Sequence, residues 1–377
     1  MHDPTRAMLS SLFQSGVNAV KGEQAVASWL EGNFLGKPTH VLAVGKAALA
    51  MFRGLPHDWQ ITVPSVIVTK TDHLGTAQLG KNVDAVEASH PVPDQASLSA
   101  GQKVLDFVKS CNDQAQLLML VSGGASSLVE HLKEGVAFDE LERLNLAALG
   151  DGSDIAEINR RRKQISAIKD GLLLEEFQGL NVTTLVISDV CGDGVGVIGS
   201  GIGAAPQSPS FDYSSHIVAS NALARSAVVQ AADEANLEIV SSQENLYDRV
   251  STVADLIARE VQNGPAGIYI YGGEPTVILP ENPGQGGRNQ ALALELAKRF
   301  RGASGITGLV AGTDGSDGPT NAAGGFFDCL SFDVAEGADD ALQQADSATF
   351  LAKTGNQVVT GPTGTNVMDL AIILKQA

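Results

Sequence analysis

The sequence has few cysteines, a deficit of basic residues and no long apolar run. Its three cysteines in 377 residues are too few and too widely spaced for a disulfide framework or a zinc ribbon, and they fit a reducing compartment. The 25 basic residues are outnumbered by 43 acidic ones, and the formal charge of -18 repels nucleic acid and anionic membranes. No stretch approaches the roughly 18 apolar residues of a membrane span, and the N-terminal segment does not resemble a signal peptide. We therefore expect a cytoplasmic protein whose partners are neither nucleic acid nor membranes.

Glycine is abundant instead, with 41 residues, and short β-branched or leucine-rich runs alternate with helical periodicity. This alternation is typical of an α/β protein. Several of the runs are apolar throughout, as buried parallel strands are. The predicted strands are His40–Val44, Val63–Thr69, Leu117–Val121, Val182–Ile187, Gly267–Tyr271, Ile306–Val310, Gln357–Val359 and Asp369–Leu374.

The length of the chain predicts two to three domains. Residues 233–262 are unusually polar and are predicted to be largely helical, and strands resume after them. We therefore place a domain boundary near residue 235, which gives an N-terminal domain of residues 1–235 and a smaller C-terminal domain of residues 236–377.

Six predicted strands lead into loops rich in glycine and polar residues. In open α/β sheets the ligand binds at the carboxyl ends of the strands, so these loops are the expected place for a site. One loop of this kind is usually a tight turn, but six are hard to explain as turns alone. The loops comprise residues 44–46, 121–127, 187–194, 271–276, 311–318 and 360–366.

The loop at residues 122–127 follows an apolar strand and is predicted to open a helix. Its backbone N–H groups and the helix N-terminus can hold a phosphate or a carboxylate, and its glycines let the ligand approach the backbone closely. The alternative is an N-capped tight turn without a ligand. The candidate binding residues of this loop are Ser122, Gly123, Gly124 and Ser126.

Four aspartates in the loops, Asp189, Asp193, Asp314 and Asp317, have no adjacent lysine or arginine. Magnesium binds through one or two carboxylates together with substrate phosphates and is their natural partner. For Asp189 and Asp193, at the end of a strand, metal binding or proton transfer is favoured, whereas for Asp317 a simple turn is equally well supported. The candidate metal ligands are Asp189, Asp193 and Asp314.

Two cations occupy positions that helix stability does not favour. Arg288 stands at the start of a helix predicted over Gln290–Arg299, and Lys46 follows a strand and a glycine. A cation at a helix start opposes the helix dipole, so an anionic ligand is expected to face it. Both residues are candidates for neutralising the charge of a transferring phosphoryl group. The alternative for Arg288 is a solvated surface side chain.

Three other signals are weaker. The G-x-G-x-x-G pattern at residues 194–199 follows a strand, but no acid stands where a dinucleotide ribose would be held. The basic run at residues 160–163 is ordinarily a solvated helix face, and Lys163 and Lys169 are too far apart for one helical stripe. His90 precedes a proline and is interpreted as part of a rigid turn.

Together these motifs resemble the class II glycerate kinases, the family whose C-terminal domain is called MOFRL. The resemblance runs in order through nearly the whole chain, and the loops at residues 313–320 and 360–366 are its most specific parts. The matching segments are residues 44–47, 89–94, 121–126, 158–171, 187–193, 272–276, 284–289, 313–321 with 323–324, and 360–366 with Asp369.

The resemblance implies a fold and an activity. The fold is a Rossmann-like αβα N-terminal domain plus a smaller α/β MOFRL C-terminal domain, with the active site in the cleft between them. The activity is transfer of the γ-phosphoryl group of ATP to the 2-hydroxyl of D-glycerate, which gives 2-phosphoglycerate and ADP, with Mg2+ as the divalent metal.

The resemblance also implies site residues. The catalytic lysine and arginine of the family fall on Lys46 and Arg288, and Asp189 is expected to hold the metal or accept the hydroxyl proton. Two lysines of the basic segment fall on Lys163 and Lys169. Further substrate-binding or nucleotide-binding residues are expected at Glu274, Gly287, Asn289, Thr365 and Asn366.

Alternatives to this reading stay open. The sequence departs from the family pattern at Ile202, where a proline is usual, and at Asp170, where a glycine is usual, so a kinase of another small hydroxy acid is one alternative. An NAD(P)H-dependent hydroxypyruvate reductase that uses the glycines of residues 194–199 is a second, and a non-catalytic sensor of a phosphorylated metabolite is a third. The sequence does not determine the oligomeric state, and a homodimer is one assembly that it allows.

Overall fold

The computed structural model describes residues 3–33, 35–150 and 155–377, and for residues 145–150 and 155–159 it describes the backbone alone. Packing divides the chain into two compact units. The parallel-sheet unit comprises residues 20–220 and 364–366, and the mixed-sheet unit comprises residues 1–19, 221–363 and 367–377. The domain boundary near residue 235 stays a prediction.

Strands and helices alternate along most of the described chain. The strands are β1 (His40–Val44), β2 (Ser65–Lys70), β3 (Val83–Ala88), β4 (Gln116–Val121), β5 (Asn181–Ile187), β6 (Asp212–Ala219), β7 (Ile239–Leu246), β8 (Gly267–Gly273), β9 (Ile306–Gly312), β10 (Gly324–Asp328), β11 (Gln357–Val358) and β12 (Asp369–Lys375). The α-helices are α1 (Pro4–Ala19), α2 (Gly22–Gly32), α3 (Ala48–Arg53), α4 (His57–Thr62), α5 (Gln95–Lys109), α6 (Ala125–Leu128), α7 (Phe138–Gly150), α8 (Ile155–Ile165), α9 (Leu172–Glu175), α10 (Asn221–Glu234), α11 (Val250–Asn263), α12 (Arg288–Arg299), α13 (Ala338–Gln343) and α14 (Ser347–Thr354). The predicted α/β class is confirmed.

The parallel-sheet unit is a doubly wound fold. Among its described residues six strands form one parallel sheet in the order β3-β2-β1-β4-β5-β6. This is the strand order of Rossmann folds, which reverses between β1 and β4. Apolar side chains of the central strands, such as Leu42, Val44, Met119 and Val121, are buried in the core of this unit. The prediction of a Rossmann-like domain is confirmed.

Helix α5 shows how the local sequence sets an element of this unit. The Asp94 carboxylate accepts a hydrogen bond from the Ser97 N–H, and the Asp94 N–H donates to Ser97 Oγ. This capping box satisfies amide groups that the first turn of a helix leaves without partners. Ala100, Val104 and Val108 recur at helical spacing and are buried in the core with the sheet.

The mixed-sheet unit has a sheet of different topology. Among its described residues six strands are ordered β11-β10-β9-β12-β8-β7, with β7 parallel to β8 and the other neighbours antiparallel. Helix α1 packs on α10 in this unit, although it is first in the chain. A separate apolar core, which includes Tyr271, Leu292, Phe300 and Ile373, fills the unit.

The eight predicted strands are all present, with ends that differ by two residues or fewer. The prediction that residues 233–262 are largely helical is wrong over β7, which lies at the edge of its sheet. Apart from Leu246, the side chains of β7 are exposed or half-buried, so no apolar alternation marks it. The eight predicted strands also omit β3 and β6, the two edge strands of the other sheet, and β10; the side chains of β3 are mostly half-buried.

None of the helices in the described ranges is both long and apolar enough to cross a membrane. The three cysteines are free thiols, with Cys111 and Cys329 buried and Cys191 exposed.

Candidate functional site

In the parallel-sheet unit, the loops after β1 and β4 meet where the strand order reverses, which is where open α/β sheets bind ligands. Ser122 is buried, and its Oγ accepts a hydrogen bond from the Ala47 N–H at 3.0 Å. The Lys46 N–H donates to the Gly123 carbonyl at 2.9 Å. Gly45 has a φ of 126°, and a Cβ there would lie 2.2 Å from Ser122 Oγ. Only glycine lets the backbone at position 45 approach Ser122 this closely. The two loops are therefore held against each other by this contact and by the two hydrogen bonds.

Gly123 brings Asp189 and Asn366 to the same place. A Cβ on Gly123 would lie 2.0 Å from Asp189 Oδ2 and from Asn366 Nδ2. Asn366 Nδ2 itself donates to Asp189 Oδ2 at 3.1 Å. The neighbouring Thr365 is buried, and its Oγ1 donates to the Val20 carbonyl at 2.6 Å, which holds this C-terminal loop in place. Residues far apart in the sequence therefore meet at a glycine that leaves room for them.

Gly124 has Lys46 and His90 beside it. Its φ is 83°, and a Cβ would lie 3.0 Å from Lys46 Cγ and 3.1 Å from His90 Cδ2. The sequence predicts a turn at His90, and the structure also places its ring beside the same glycine as the predicted catalytic lysine. A sequence signal for His90 as a site residue does exist, because residues 89–94 are one of the segments that match the family pattern.

The helix predicted after this loop is the short α6, with four residues. Ser126 Oγ lies 2.8 Å from Ser200 Oγ, and the Ser122 hydroxyl accepts from Ala47. Both hydroxyls thus contact protein groups. The prediction that this loop binds an anion rests on its backbone N–H groups and on the side chains around Gly123 and Gly124.

Lys169 and Lys163 have different surroundings. Lys169 is 1% exposed and pairs with the buried Glu130, whose carboxylate also accepts from Ser166 Oγ at 2.6 Å. Burial lowers the pKa of Lys169, and Glu130 acts in the opposite direction. Lys163 is more exposed and donates to Asp170 Oδ1 at 2.6 Å. The two lysines therefore have separate carboxylate partners, as expected for residues that do not share a helical stripe.

Arg288, in the mixed-sheet unit, begins α12 and lies between two carboxylates. Its Nε donates to Asp369 Oδ2 at 2.5 Å, and its Nη2 donates to Asp369 Oδ1 at 3.1 Å. Its Nη1 lies 2.6 Å from Glu274 Oε1. Burial opposes the charge, but Asp369 and Glu274 together raise the pKa of Arg288 well above its usual range. Arg288 therefore stays a cation.

The start of α12 is capped from a distant loop. Asp317 is buried, and its carboxylate accepts from the N–H groups of Asn289 at 3.0 Å and Gln290 at 2.8 Å. A Cβ on Gly287 would lie 2.3 Å from Asp317 Cγ, so glycine is required beside the carboxylate. Burial raises the pKa of Asp317 to about 6, although the two N–H groups lower it. Asp317 acts as a helix cap, a role that its place in the sequence does not indicate.

The Asn289 side chain is buried, and within the described part of the chain neither of its amide atoms has a hydrogen-bond partner. A Cβ on Gly312 would lie 3.3 Å from Asn289 Nδ2 and from Asp369 Oδ1, so the amide lies near the carboxylate that holds Arg288. A buried polar group without a partner costs about 1–3 kcal/mol. Asn289 therefore gains from any water or ligand group that reaches it.

The aspartates predicted as metal ligands differ in their contacts. Asp314 Oδ1 accepts from the N–H of Ser316 at 2.9 Å and from its Oγ at 3.0 Å. Asp193 lies in a 3-10 turn with a φ of 54°. Across the described ranges, no group of three or more His, Cys, Asp or Glu residues is arranged to hold a metal. Magnesium needs only one or two protein carboxylates when phosphates supply further oxygens, and the half-buried Asp189 beside Asn366 suits that requirement.

The glycines of residues 194–199 do not form a dinucleotide site. The residues between β5 and β6 are all described, and they form the 3-10 turns Cys191–Asp193 and Ile198–Gly201 without an α-helix. A dinucleotide-binding fingerprint needs a helix N-terminus directly after the glycines. The G-x-G-x-x-G match at residues 194–199 therefore lacks the helix that a dinucleotide site needs.

The structure gathers most of the predicted site residues into two groups, each with one of the predicted catalytic cations. In the parallel-sheet unit the group is Lys46, Ser122, Gly123, Gly124, Asp189 and Asn366. In the mixed-sheet unit it is Glu274, Gly287, Arg288 and Asn289. The roles of these residues stay predictions.

Comparison with known proteins gives two family matches. A family model described as "Domain of unknown function (DUF4147)" matches residues 8–236, and the model of the MOFRL family matches residues 267–369.

Individual relatives match over nearly the whole chain. A D-glycerate 2-kinase of Thermotoga maritima is 33% identical, over 99% of this chain and 99% of its own. A protein of Agrobacterium vitis with the provisional name hydroxypyruvate reductase is 32% identical, over 89% of this chain and 98% of its own. The solved structure of a glycerate kinase from Thermotoga maritima is similar over 99% of each chain, with a TM-score of 0.82 and 30% identity.

Proposed function

We propose a function from the premise that the chain belongs to the glycerate 2-kinase family, in which a DUF4147 part precedes a MOFRL part. It is a phosphotransferase that moves the γ-phosphoryl group of ATP to the 2-hydroxyl of D-glycerate and releases 2-phosphoglycerate and ADP. The observation that carries this proposal is the similarity to a D-glycerate 2-kinase over 99% of both chains. The name hydroxypyruvate reductase is a weaker alternative, because the turns at residues 194–199 lack the helix that a dinucleotide site needs.

In this reaction the 2-hydroxyl oxygen forms a bond to the γ-phosphorus, the bond from that phosphorus to the bridging oxygen of ADP breaks, and the hydroxyl proton must leave. Phosphoryl transfer of this kind depends on positioning and electrostatic stabilisation. We assign neutralisation of the developing charge to Lys46 and Arg288. We propose that Asp189 accepts the hydroxyl proton. Asn366 holds the Asp189 carboxylate beside Gly123, and the neighbouring Gly124 leaves room for Lys46 at the same turn.

The remaining predicted residues are assigned to binding. The Ser122–Ser126 loop, Lys163 and Asn289 are proposed to contact anionic groups, and so is Lys169 if its pair with Glu130 opens. Glu274 is proposed as a binding-site residue through its ion pair with Arg288. Gly287 and Thr365, which neighbour Arg288 and Asn366 in the sequence, are proposed as further substrate-binding or nucleotide-binding residues.

Magnesium fits Asp189 by the chemistry of its oxygen donors, and metal binding is the alternative role of Asp189 to accepting the proton; Asp193 and Asp314 are further candidate ligands. When bound together with ATP, magnesium neutralises phosphate oxygens.

We also propose that the protein acts in the cytoplasm, where thiols such as its three free cysteines stay reduced. Its formal charge of -18 supports the proposal that nucleic acid is not a partner. We also propose a homodimer, and light scattering of the purified chain tests it.

The test of the function is ADP release from ATP and Mg2+ with D-glycerate, L-glycerate or hydroxypyruvate, with the product identified by phosphorus NMR. We expect 2-phosphoglycerate from D-glycerate alone. ADP release with a different acid would keep the kinase and change the acceptor. Oxidation of NAD(P)H by hydroxypyruvate without ADP release would replace the kinase by a reductase. If neither reaction occurs, the non-catalytic sensor is the remaining hypothesis.

A further inference from the structure

The two carboxylates on Arg288 differ in burial and in the way they bind. Asp369 is 1% exposed and takes the Nε and Nη2 edge of the guanidinium with both oxygens. Glu274 is 44% exposed and contacts Nη1 with Oε1. One edge of the guanidinium is thus bound in the interior, and the other is bound by a side chain that reaches solvent.

We propose that Asp369 is a positioning residue for Arg288, and that Glu274 is a displaceable counter-ion on Nη1 whose place an anionic group of a substrate takes. The proposal rests on the proposed function, because the anionic group is a phosphate of ATP or the carboxylate of D-glycerate.

Asp369 is fixed by its surroundings. It begins β12, which pairs with β8 on one side and β9 on the other. Its carbonyl accepts a hydrogen bond from Asn221 Nδ2 at 3.0 Å. A bidentate carboxylate sets the plane of a guanidinium as well as its position. Asp369 therefore keeps Arg288 oriented whether or not a ligand is present.

Glu274 is held much less strongly. Ion pairs between partly exposed side chains contribute little, because water solvates and screens both charges. One guanidinium faces two carboxylates, and the carboxylate of Asp317 is close enough to raise the pKa of Arg288 as well. An anionic ligand that binds Arg288 through Nη1 takes the position of a carboxylate that is already there. Glu274 is the carboxylate that can leave, because it reaches solvent.

The first test is Glu274→Gln, which keeps the shape of the side chain and removes its charge. We expect this variant to bind one ligand about fivefold more tightly, which corresponds to the loss of one competing exposed ion pair. Calorimetric titrations are made with ATP and Mg2+ in one experiment and with D-glycerate in the other. The ligand that binds more tightly is the one whose anionic group contacts Arg288 Nη1.

The matched control is Asp333→Asn. Asp333 pairs with Arg301 at 2.7 Å and is 48% exposed, so this variant also removes one negative charge from a partly exposed ion pair. We expect its affinity for both ligands to equal that of the wild type. Equal tightening in both variants would mean that only net charge matters, and would overturn the proposal.

The second variant, Asp369→Asn, tests positioning. We expect kcat to fall about a hundredfold, the size reported for displacement of a group from its productive geometry, with a smaller change in KM. A purely structural role would lower the amount of folded protein and leave kcat per folded molecule unchanged, so thermal unfolding is measured in parallel. If Asp369→Asn does not fold, the pair Glu274→Gln and Asp333→Asn still decides the role of Glu274.

Failure of this inference is distinguishable from failure of the proposed function. An active wild-type kinase whose Glu274→Gln variant binds neither ligand more tightly would overturn the inference alone, and so would a variant that loses ligand binding. Tighter ATP binding by Glu274→Gln in a chain that releases no ADP would support the counter-ion and overturn the kinase.

Discussion

Lys169 in the parallel-sheet unit and Arg288 in the mixed-sheet unit are both cations held by carboxylates, yet their surroundings differ. Lys169 and Glu130 are 1% and 0% exposed and form an ion pair, and Arg162 lies close enough to act on both charges. Arg288 is 34% exposed and has Asp369 behind it and Glu274 at its solvent-facing edge. Burial dominates the pKa of Lys169 and lowers it, whereas the surrounding carboxylates prevail at Arg288 and raise its pKa. Removing one partner of a buried pair leaves an uncompensated charge, whereas a cation whose second carboxylate reaches solvent can exchange that carboxylate for a ligand.

The largest expected effect comes from opening the closed pair. Glu130→Ala leaves the Lys169 amine buried without its carboxylate, so we expect a loss of about 3–5 kcal/mol in the free energy of unfolding. Replacing both partners, Glu130→Leu with Lys169→Met, is expected to recover part of that loss, because the buried amine is removed while Arg162 still loses the favourable charge of Glu130. Urea denaturation of the two variants measures the difference. A loss below about 1 kcal/mol in Glu130→Ala would show that the pair is not closed.

The second effect is on turnover. Arg288→Lys keeps a positive charge opposite Asp369 but loses the planar fork that contacts two groups at once. We expect kcat to fall about a hundred- to a thousandfold, the usual size for the loss of a donor that stabilises developing charge. The free energy of unfolding is expected to change by less than about 2 kcal/mol, because the buried carboxylate keeps a partner. Steady-state kinetics and urea denaturation on the same preparation check both parts, and an unchanged kcat would remove Arg288 from catalysis.

The third effect is a pH dependence of the free energy of unfolding. It comes from Asp317, the buried carboxylate that caps the helix beginning with Arg288. The pKa of Asp317 rises from 3.8 to about 6 on folding, so the folded state keeps its proton over a pH range in which the unfolded chain has released it. Stability therefore falls as the pH rises through that range, by about 3 kcal/mol for a shift of roughly two units.

The measurement is the free energy of unfolding of the wild type minus that of Asp317→Asn, at intervals from pH 4 to pH 7. Asparagine does not titrate, so the difference isolates Asp317. A difference that stays constant with pH would contradict the raised pKa.

The smallest effect concerns the turn beside Lys46. Gly123→Ala places a methyl group 2.0 Å from Asp189 Oδ2 and Asn366 Nδ2, so both side chains must move. We expect kcat to fall about tenfold or more, since small displacements of reacting groups slow phosphoryl transfer. Gly196→Ala is the control, because a Cβ there meets nothing within 4 Å. Its kcat is expected to equal that of the wild type, and a loss of similar size in both variants would show that the turn at Gly123 has no special role.

The sequence was sufficient for the class of fold. Central strands such as β1, β4 and β12 are apolar over most of their length because they are covered on both sides, and that signal is local. The edge strands β3 and β7 have no such signal, because backbone hydrogen bonds to one neighbouring strand hold them while most side chains remain partly exposed. Their presence depends on the strand next to them.

The candidate loops and the two cations were also predictable, because glycine after a strand and a cation at a helix start are departures from ordinary local preference. The partners of those groups were not. Glu130 meets Lys169 across 39 positions, Asp369 meets Arg288 across 81, and Asn366 meets Asp189 across 177. An aspartate or glutamate in the sequence is the same letter whether its carboxylate is exposed to water or buried. Only the packing of the chain sets its burial and its neighbour, and these two properties separate a structural pair from a cation that can receive a ligand.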